Sequence, residues 1–196
     1  MARPARQAER RQELLPVLAR AFAQLGYRRA TSAELARRCD VQETILYRLW
    51  PGKQEMFVAA IEHVFAESEA AWENLLRSGA VQGDVARAIL AYEASHHGEH
   101  GLYRLVFAGL SECDEPAIKA ALRRMYGRFH RFVAAQVAAH RGVAADAPEV
   151  ARAAWAIVGL GTVANLTREL GLLGAAGRAE LIEEVGVELL GPRGDG

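Results

Sequence analysis

Thr31-Ser32-Ala33-Glu34-Leu35-Ala36-Arg37-Arg38-Cys39-Asp40-Val41-Gln42-Glu43-Thr44-Ile45-Leu46-Tyr47-Arg48-Leu49-Trp50 is the stretch on which the fold of this chain turns. Apolar residues stand at Leu35, Ala36, Val41, Ile45, Leu46 and Leu49. Their spacing predicts two short helices joined by a tight turn. That is a helix-turn-helix, a motif with one face packed and the other left free for a DNA groove. Thr31 or Ser32 is the expected cap of the first helix, because a hydroxyl there accepts from a backbone N–H two or three residues on. Glu34 suits the positive end of the helix dipole. The second helix spans 42–49 and stops before Pro51.

Outward from this motif, helical periodicity dominates and almost nothing alternates with period two. The fold class is therefore all-α, with about nine helices. The first covers residues 8–25, turns Leu14, Leu15, Leu18, Ala21, Phe22 and Leu25 inward, and is stopped by Gly26. Pro16 lies inside it and is expected to kink the helix or delay its ordered part, since proline cannot donate to the carbonyl of Gln12. Further helices are expected from about Gly52, over 84–97 and 102–110, from Pro116, over 148–170, and after 171–177.

Composition narrows the function. Lys+Arg and Asp+Glu both number 24 in 196 residues, yet they segregate. Residues 1–58 carry 11 basic against 6 acidic side chains, and the remainder 13 against 18. A basic segment beside an acidic one is the electrostatic footprint of a domain that docks on phosphates. The two cysteines, Cys39 and Cys113, form no CxxC pair, which suits a reducing cytoplasm. Arginines near the N-terminus with no apolar run behind them predict no secretory signal. The longest uncharged stretch, 153–167, is 15 residues and reads as a buried helix, because a membrane span needs about 20.

With Gly26-Tyr27 before it and Pro51-Gly52-Lys53 after it, the motif resembles the DNA-binding domain of the tetracycline-repressor (TetR) family. Thr31-Ser32, Leu35-Ala36, Val41, Leu46, Tyr47, Trp50 and Lys53 fit the family's positions. Asp40 stands where the turn glycine is usual, and it tolerates left-handed φ better than most residues. Gln42, Thr44 and Ile45 replace the common Ser, Gly and Thr, so operator preference departs from the family pattern.

The resemblance implies a DNA-binding domain at 1–58 and a ligand-binding and dimerisation domain at 59–196. Gln42, Glu43, Thr44 and Arg48 would face the major groove, where Arg suits guanine, Gln adenine and Glu cytosine. Tyr47, Lys53, Arg28, Arg29, Thr31 and Ser32 would serve the backbone and the start of the first helix. Trp50 is expected to anchor the core. A single motif contacts too little DNA, so a homodimer on a palindromic operator is implied. Its candidate interface is Val150, Ala154, Ile157, Val158 and Gly161, with Leu181, Val185 and Leu189 of the last helix. A small-molecule effector that releases the repressor from its operator is implied too, with Trp72, Tyr92, His96, Tyr103, Phe107, Met125, Phe129 and Trp155 as candidate pocket residues. No cofactor, membrane or enzymatic role is expected.

The competing reading is an all-helical metal-dependent or enzymatic protein in which the motif is only structural. His96 and His100, four apart, could share a metal if their helix continued, but Gly98 weakens it and no metal site is expected.

Overall fold

A computed structural model describes residues 2–79, 81, 83–99 and 101–194. Among them the regular elements are all helical: α1 (Ala2–Arg29), α2 (Ser32–Arg38), α3 (Glu43–Leu49), α4 (Lys53–Arg77), α5 (Val85–His96), α6 (Tyr103–Leu110), α7 (Pro116–Arg141) and α8 (Pro148–Glu169). Then α9 (Ala175–Glu180) passes through a π-helical turn, Leu181–Val185, into α10 (Gly186–Leu190). Counted as one, that last run brings the described helices to the expected nine.

The chain forms two compact units. One holds Met1–Glu67 and His100–Met125, the other Ser68–Glu99 and Tyr126–Gly196. The first unit therefore takes in α6 and the start of α7 along with the segment assigned to DNA.

In the first unit, α1 buries Leu14, Leu18, Ala21 and Phe22, spaced along one face. Phe22 meets Phe57 of α4 edge-on at 5.0 Å, and Tyr27 meets the same ring at 4.8 Å. Leu35, Leu46, Leu49, Met56, Ile61, Leu105 and Ile118 complete this core. Each buried Leu, Ile or Phe stabilises the unit by about 1.5–3 kcal/mol.

Of the two outcomes expected at Pro16, a kink or a late start, the late start is corrected. Gly26 (φ 73°, ψ 166°) is the one residue of α1 outside helical dihedrals, and the helix runs through Pro16 from Ala2. Leu14, Leu18, Ala19 and Phe22 are buried around the proline, so tertiary packing holds the turn despite the missing donor. Gly26 breaks α1 as expected, since its positive φ is open to glycine without a Cβ clash.

In the second unit, Leu90, Val137, Val150, Ala154 and Leu190 form the centre of one cluster. Asp84 caps α5, accepting from the N–H groups of Ala86 and Arg87 at 3.1 and 3.2 Å. The same carboxylate meets His140 Nδ1 at 2.8 Å, while His140 Nε2 lies 2.9 Å from the carbonyl oxygen of Gly191. These bonds tie α5, α7 and the chain beyond α10 together.

Residues 153–167 lie in α8, which is buried along one side within its own unit. By length and composition alone α8 could cross a membrane, and only 22% of its apolar window is buried within the protein. Its inward residues are Val150, Ala153, Ala154, Leu160 and Ala164. Trp155, Ala156, Val163, Leu166 and Leu170 are exposed. They recur at helical spacing, so α8 carries an apolar stripe that is left exposed among the described residues.

Candidate nucleic-acid interface

The interface begins with a cap. Thr31 is extended (φ −90°, ψ 154°), and its hydroxyl accepts from Glu34 N–H at 3.2 Å. An accepting hydroxyl keeps its own proton to donate outward. Glu34 binds Arg37 through two bonds of 2.8 Å and Arg38 through another. Hydrogen bonds from Arg37 and Arg38 pull the Glu34 carboxyl down to about 2. Arg38 also donates to the side-chain oxygen of Gln24 in α1.

Asp40 makes the turn in the left-handed region, at φ 51°, as its place in the sequence predicts. Val41 N–H closes the turn on the Ala36 carbonyl at 3.0 Å. The recognition helix starts at Glu43, one residue later than expected, because Gln42 is extended (φ −76°, ψ 148°) and forms the N-cap without a side-chain bond. Leu46 and Leu49 face the core, and Glu43, Thr44, Tyr47 and Arg48 face outward with Gln42. Among the described residues, none of the Gln42, Glu43, Thr44 or Arg48 side chains has a recorded partner, so their donors and acceptors stay free for a ligand. Trp50 is 5% exposed and anchors the core as expected.

The remaining DNA-side candidates are engaged. Tyr47 Oη and Ser32 Oγ lie 2.5 Å apart, tying α3 to the start of α2. Lys53 Nζ donates to the Tyr27 carbonyl at 3.1 Å and sits 4.6 Å above the Tyr27 ring. Arg29 Nε donates to Leu25 O at 3.1 Å. Arg28 Nε meets both carboxylate oxygens of Glu112, at 2.8 and 3.1 Å. Two contributors escape a reading of the motif alone. One is Glu112; the other is Arg11, whose Nε caps α3 by donating to Leu49 O at 2.7 Å, with its guanidinium 6.0 Å from the Trp50 ring. Both act over long sequence separation, which no local pattern records.

The candidate pocket residues divide between the units. Tyr103, Phe107 and Met125 belong to the first; Trp72, Tyr92, His96, Phe129 and Trp155 to the second. Trp72 stacks on Phe132 at 4.2 Å, meets Phe129 edge-on at 6.0 Å and donates to Glu93 at 2.7 Å. Tyr92 stacks on His96 at 4.2 Å, and Tyr103 meets Phe107 at 6.1 Å. Trp155 is 51% exposed and stacks on His130 at 4.5 Å. His96 ends α5 with Nδ1 2.9 Å from the Tyr92 carbonyl oxygen, and His100 lies outside the described residues. Among the described residues no cluster of three His, Cys, Asp or Glu is arranged for a metal.

The interface candidates differ in exposure within the single chain. Val150 and Ala154 are fully buried in their own unit, Ile157, Val158 and Gly161 are half-buried, and the outward stripe is that of Trp155, Val163, Leu166 and Leu170. Leu181, Val185 and Leu189 form a half-buried edge while Ile182, Gly186 and Leu190 turn inward.

His97, passed over in favour of its neighbours, is the centre of a polar network. Its Nδ1 meets Glu93 at 2.7 Å, and its Nε2 meets the Gly161 carbonyl at 2.8 Å and Asn165 Nδ2 at 3.0 Å. Arg168 donates to the His97 carbonyl at 3.1 Å. Burial favours the neutral ring, but the bond to Glu93, its charge and the Gly161 carbonyl outweigh that and raise the His97 pKa.

Comparison with known proteins is consistent with this geometry. Residues 14–60 match the family of bacterial regulatory proteins, tetR family. The chain is 28% identical over 125 residues to the nucleoid occlusion factor SlmA of Pasteurella multocida, covering 61% of each. It is 30% identical over 125 residues to SlmA of Haemophilus influenzae strain PittGG, covering 61% of this chain and 56% of that one. The chain thus spans about three-fifths of these relatives' length. A TetR-family regulator from Cytophaga hutchinsonii superposes with a TM-score of 0.74 at 13% identity, over 97% of this chain and 98% of that one. A protein from Saccharomonospora viridis, described as a transcriptional regulator and solved with choline, gives 0.69 at 14% identity, over 90% and 95%. At these identities the superpositions speak for the fold.

Proposed function

We propose that this chain, a member of the tetR family of bacterial regulatory proteins, is a dimeric transcriptional repressor that grips a palindromic operator with α3 and leaves it on binding a small-molecule effector. The observation that carries this reading is the outward face of α3. Gln42, Glu43, Thr44 and Arg48 stand free on a helix whose other face, Leu46 and Leu49, is fully packed. A rigid helix with unspent donors and acceptors suits base edges in a major groove. Residues 1–58 would read DNA, and 59–196 would dimerise and take the effector.

The exposed stripe of α8, with the edge of the last helix, is the surface on which a second copy would close a four-helix bundle. Effector control requires a ligand that binds the two states with different affinity. The choline bound by the Saccharomonospora viridis protein supports the reading that this chain, too, takes a small molecule.

A selection from random duplexes followed by fluorescence anisotropy tests the reading. One enriched palindrome, with Arg48→Ala losing about 1–3 kcal/mol of discrimination at one base pair per half-site, is expected. Absence of any enriched sequence would refute it. A second reading has one observation behind it: the SlmA match runs over 125 residues, well beyond 14–60. A nucleoid occlusion role would appear as binding at many chromosomal sites instead of one or a few promoters.

A further inference from the structure

We propose that Glu112 is a built-in competitor for the DNA backbone: it neutralises Arg28 in an ion pair that an operator phosphate must share or displace, so the turn after α6 lowers the affinity of the helix-turn-helix. This rests on the reading of α1–α3 as the DNA-binding segment.

Arg28 lies just beyond Gly26 in the last turn of α1, three residues before the Thr31 cap. The bond between Ser32 Oγ and Tyr47 Oη brings the start of α2 to the outward side of α3, and Arg28 stands four residues before Ser32 in the chain. Its side chain is 79% exposed, whereas that of Glu112 is 11% exposed. The carboxylate is thus the more buried partner and the guanidinium the one open to an incoming anion. The Glu112 backbone is held on both sides, its N–H donating to Gly109 O at 3.1 Å and its carbonyl accepting from Glu115 N–H at 3.0 Å. Asp114 adds charge to the same turn, and Glu115 accepts from Gln54 at 3.0 Å.

Carboxylate and phosphate oxygens make the same charge-assisted bond with a guanidinium. With Glu112 in place, a phosphate at Arg28 puts two anions on one cation. Without it, the full charge is available. Any shift of the turn that withdraws Glu112 would therefore tighten DNA binding.

The test uses the full-length protein on two probes, the duplex selected by the wild type and a random-sequence duplex, with affinity measured across salt concentrations. Glu112→Gln is expected to bind about two- to fivefold tighter, the worth of a partly exposed ion pair. Its log-affinity against log-salt slope should steepen by up to about one. Arg28→Gln should bind more weakly with a shallower slope, and adding Glu112→Gln to it should gain nothing. Unchanged or weaker binding by Glu112→Gln, or the same gain without Arg28, would overturn the proposal. So would an Arg28→Gln variant with wild-type affinity and slope. Should Glu112→Gln melt in circular dichroism, Glu112→Asp, which draws the charge back by one methylene, takes its place, with a smaller gain in affinity that again requires Arg28. If the wild type binds neither duplex, the DNA-binding reading falls and this inference with it. Selective binding with no gain on removing Glu112 retires only the inference.

Discussion

At His97 and at Asp84 the same physics gives opposite dependences on pH. The His97 pKa is raised above 6.5 in the folded protein. Its contribution to stability is whole below that value and is lost as pH climbs through the folded pKa. Asp84 is opposite: burial raises its pKa, but the Arg87 N–H bond, the His140 charge and bond, and the Ala86 N–H bond outweigh this and lower it below 3.8. That contribution is whole above 3.8 and disappears as pH falls through the folded pKa. Stability is thus expected to be greatest between these two limits. Urea unfolding from pH 5 to 9 should show His97→Gln flattening the alkaline decline of the wild type. An alkaline limb identical in both proteins would show that His97 carries no such linkage. Gly161 belongs to the same site: a Cβ there would lie 3.1 Å from His97 Cε1, so the glycine makes room for the ring.

Two helices set local preference against packing. In α1, Pro16 removes one backbone bond without breaking the helix, at a cost of up to about 3 kcal/mol. Pro16→Ala should therefore raise the free energy of unfolding by about 1–3 kcal/mol in a denaturant titration. No gain would mean that the ring contributes packing that alanine cannot replace. In α8, the exposed stripe predicts a different outcome for residues a few positions apart. Val163→Asp should turn the proposed dimer into a monomer by light scattering while leaving the helical circular dichroism intact. Val150→Asp, within the buried cluster, should unfold the second unit instead. A Val163→Asp protein that remains dimeric would place the interface elsewhere.

Charge acts over the whole molecule. The unit that contains α1–α3 carries 15 basic against 11 acidic side chains, and the other 9 against 13, so the segregation read at residue 58 survives when the true compact units are counted. DNA affinity should accordingly fall steeply with salt, by about 0.9 logarithmic unit per tenfold salt for each phosphate neutralised. A flat salt profile in the anisotropy titration would rule out backbone-driven docking. What could be read from the chain alone is what neighbours within four residues encode: the Thr31 cap, the left-handed turn at Asp40, the packed and free faces of α3, and the stop at Gly26. These depend on backbone geometry and helical period, which every segment carries with it. The phase of α8 was not legible, because a helix apolar all round has no preferred face until Leu90, Val137 and Leu190 claim one. Nor was the division of cations into free and engaged, with Arg48 open while Arg28 meets Glu112 across 84 residues and Lys53 meets Tyr27 across 26. Pairings at that range exist only once hydrophobic packing has brought the elements together, so folding, and not local pattern, chose which charges this protein leaves open to a ligand.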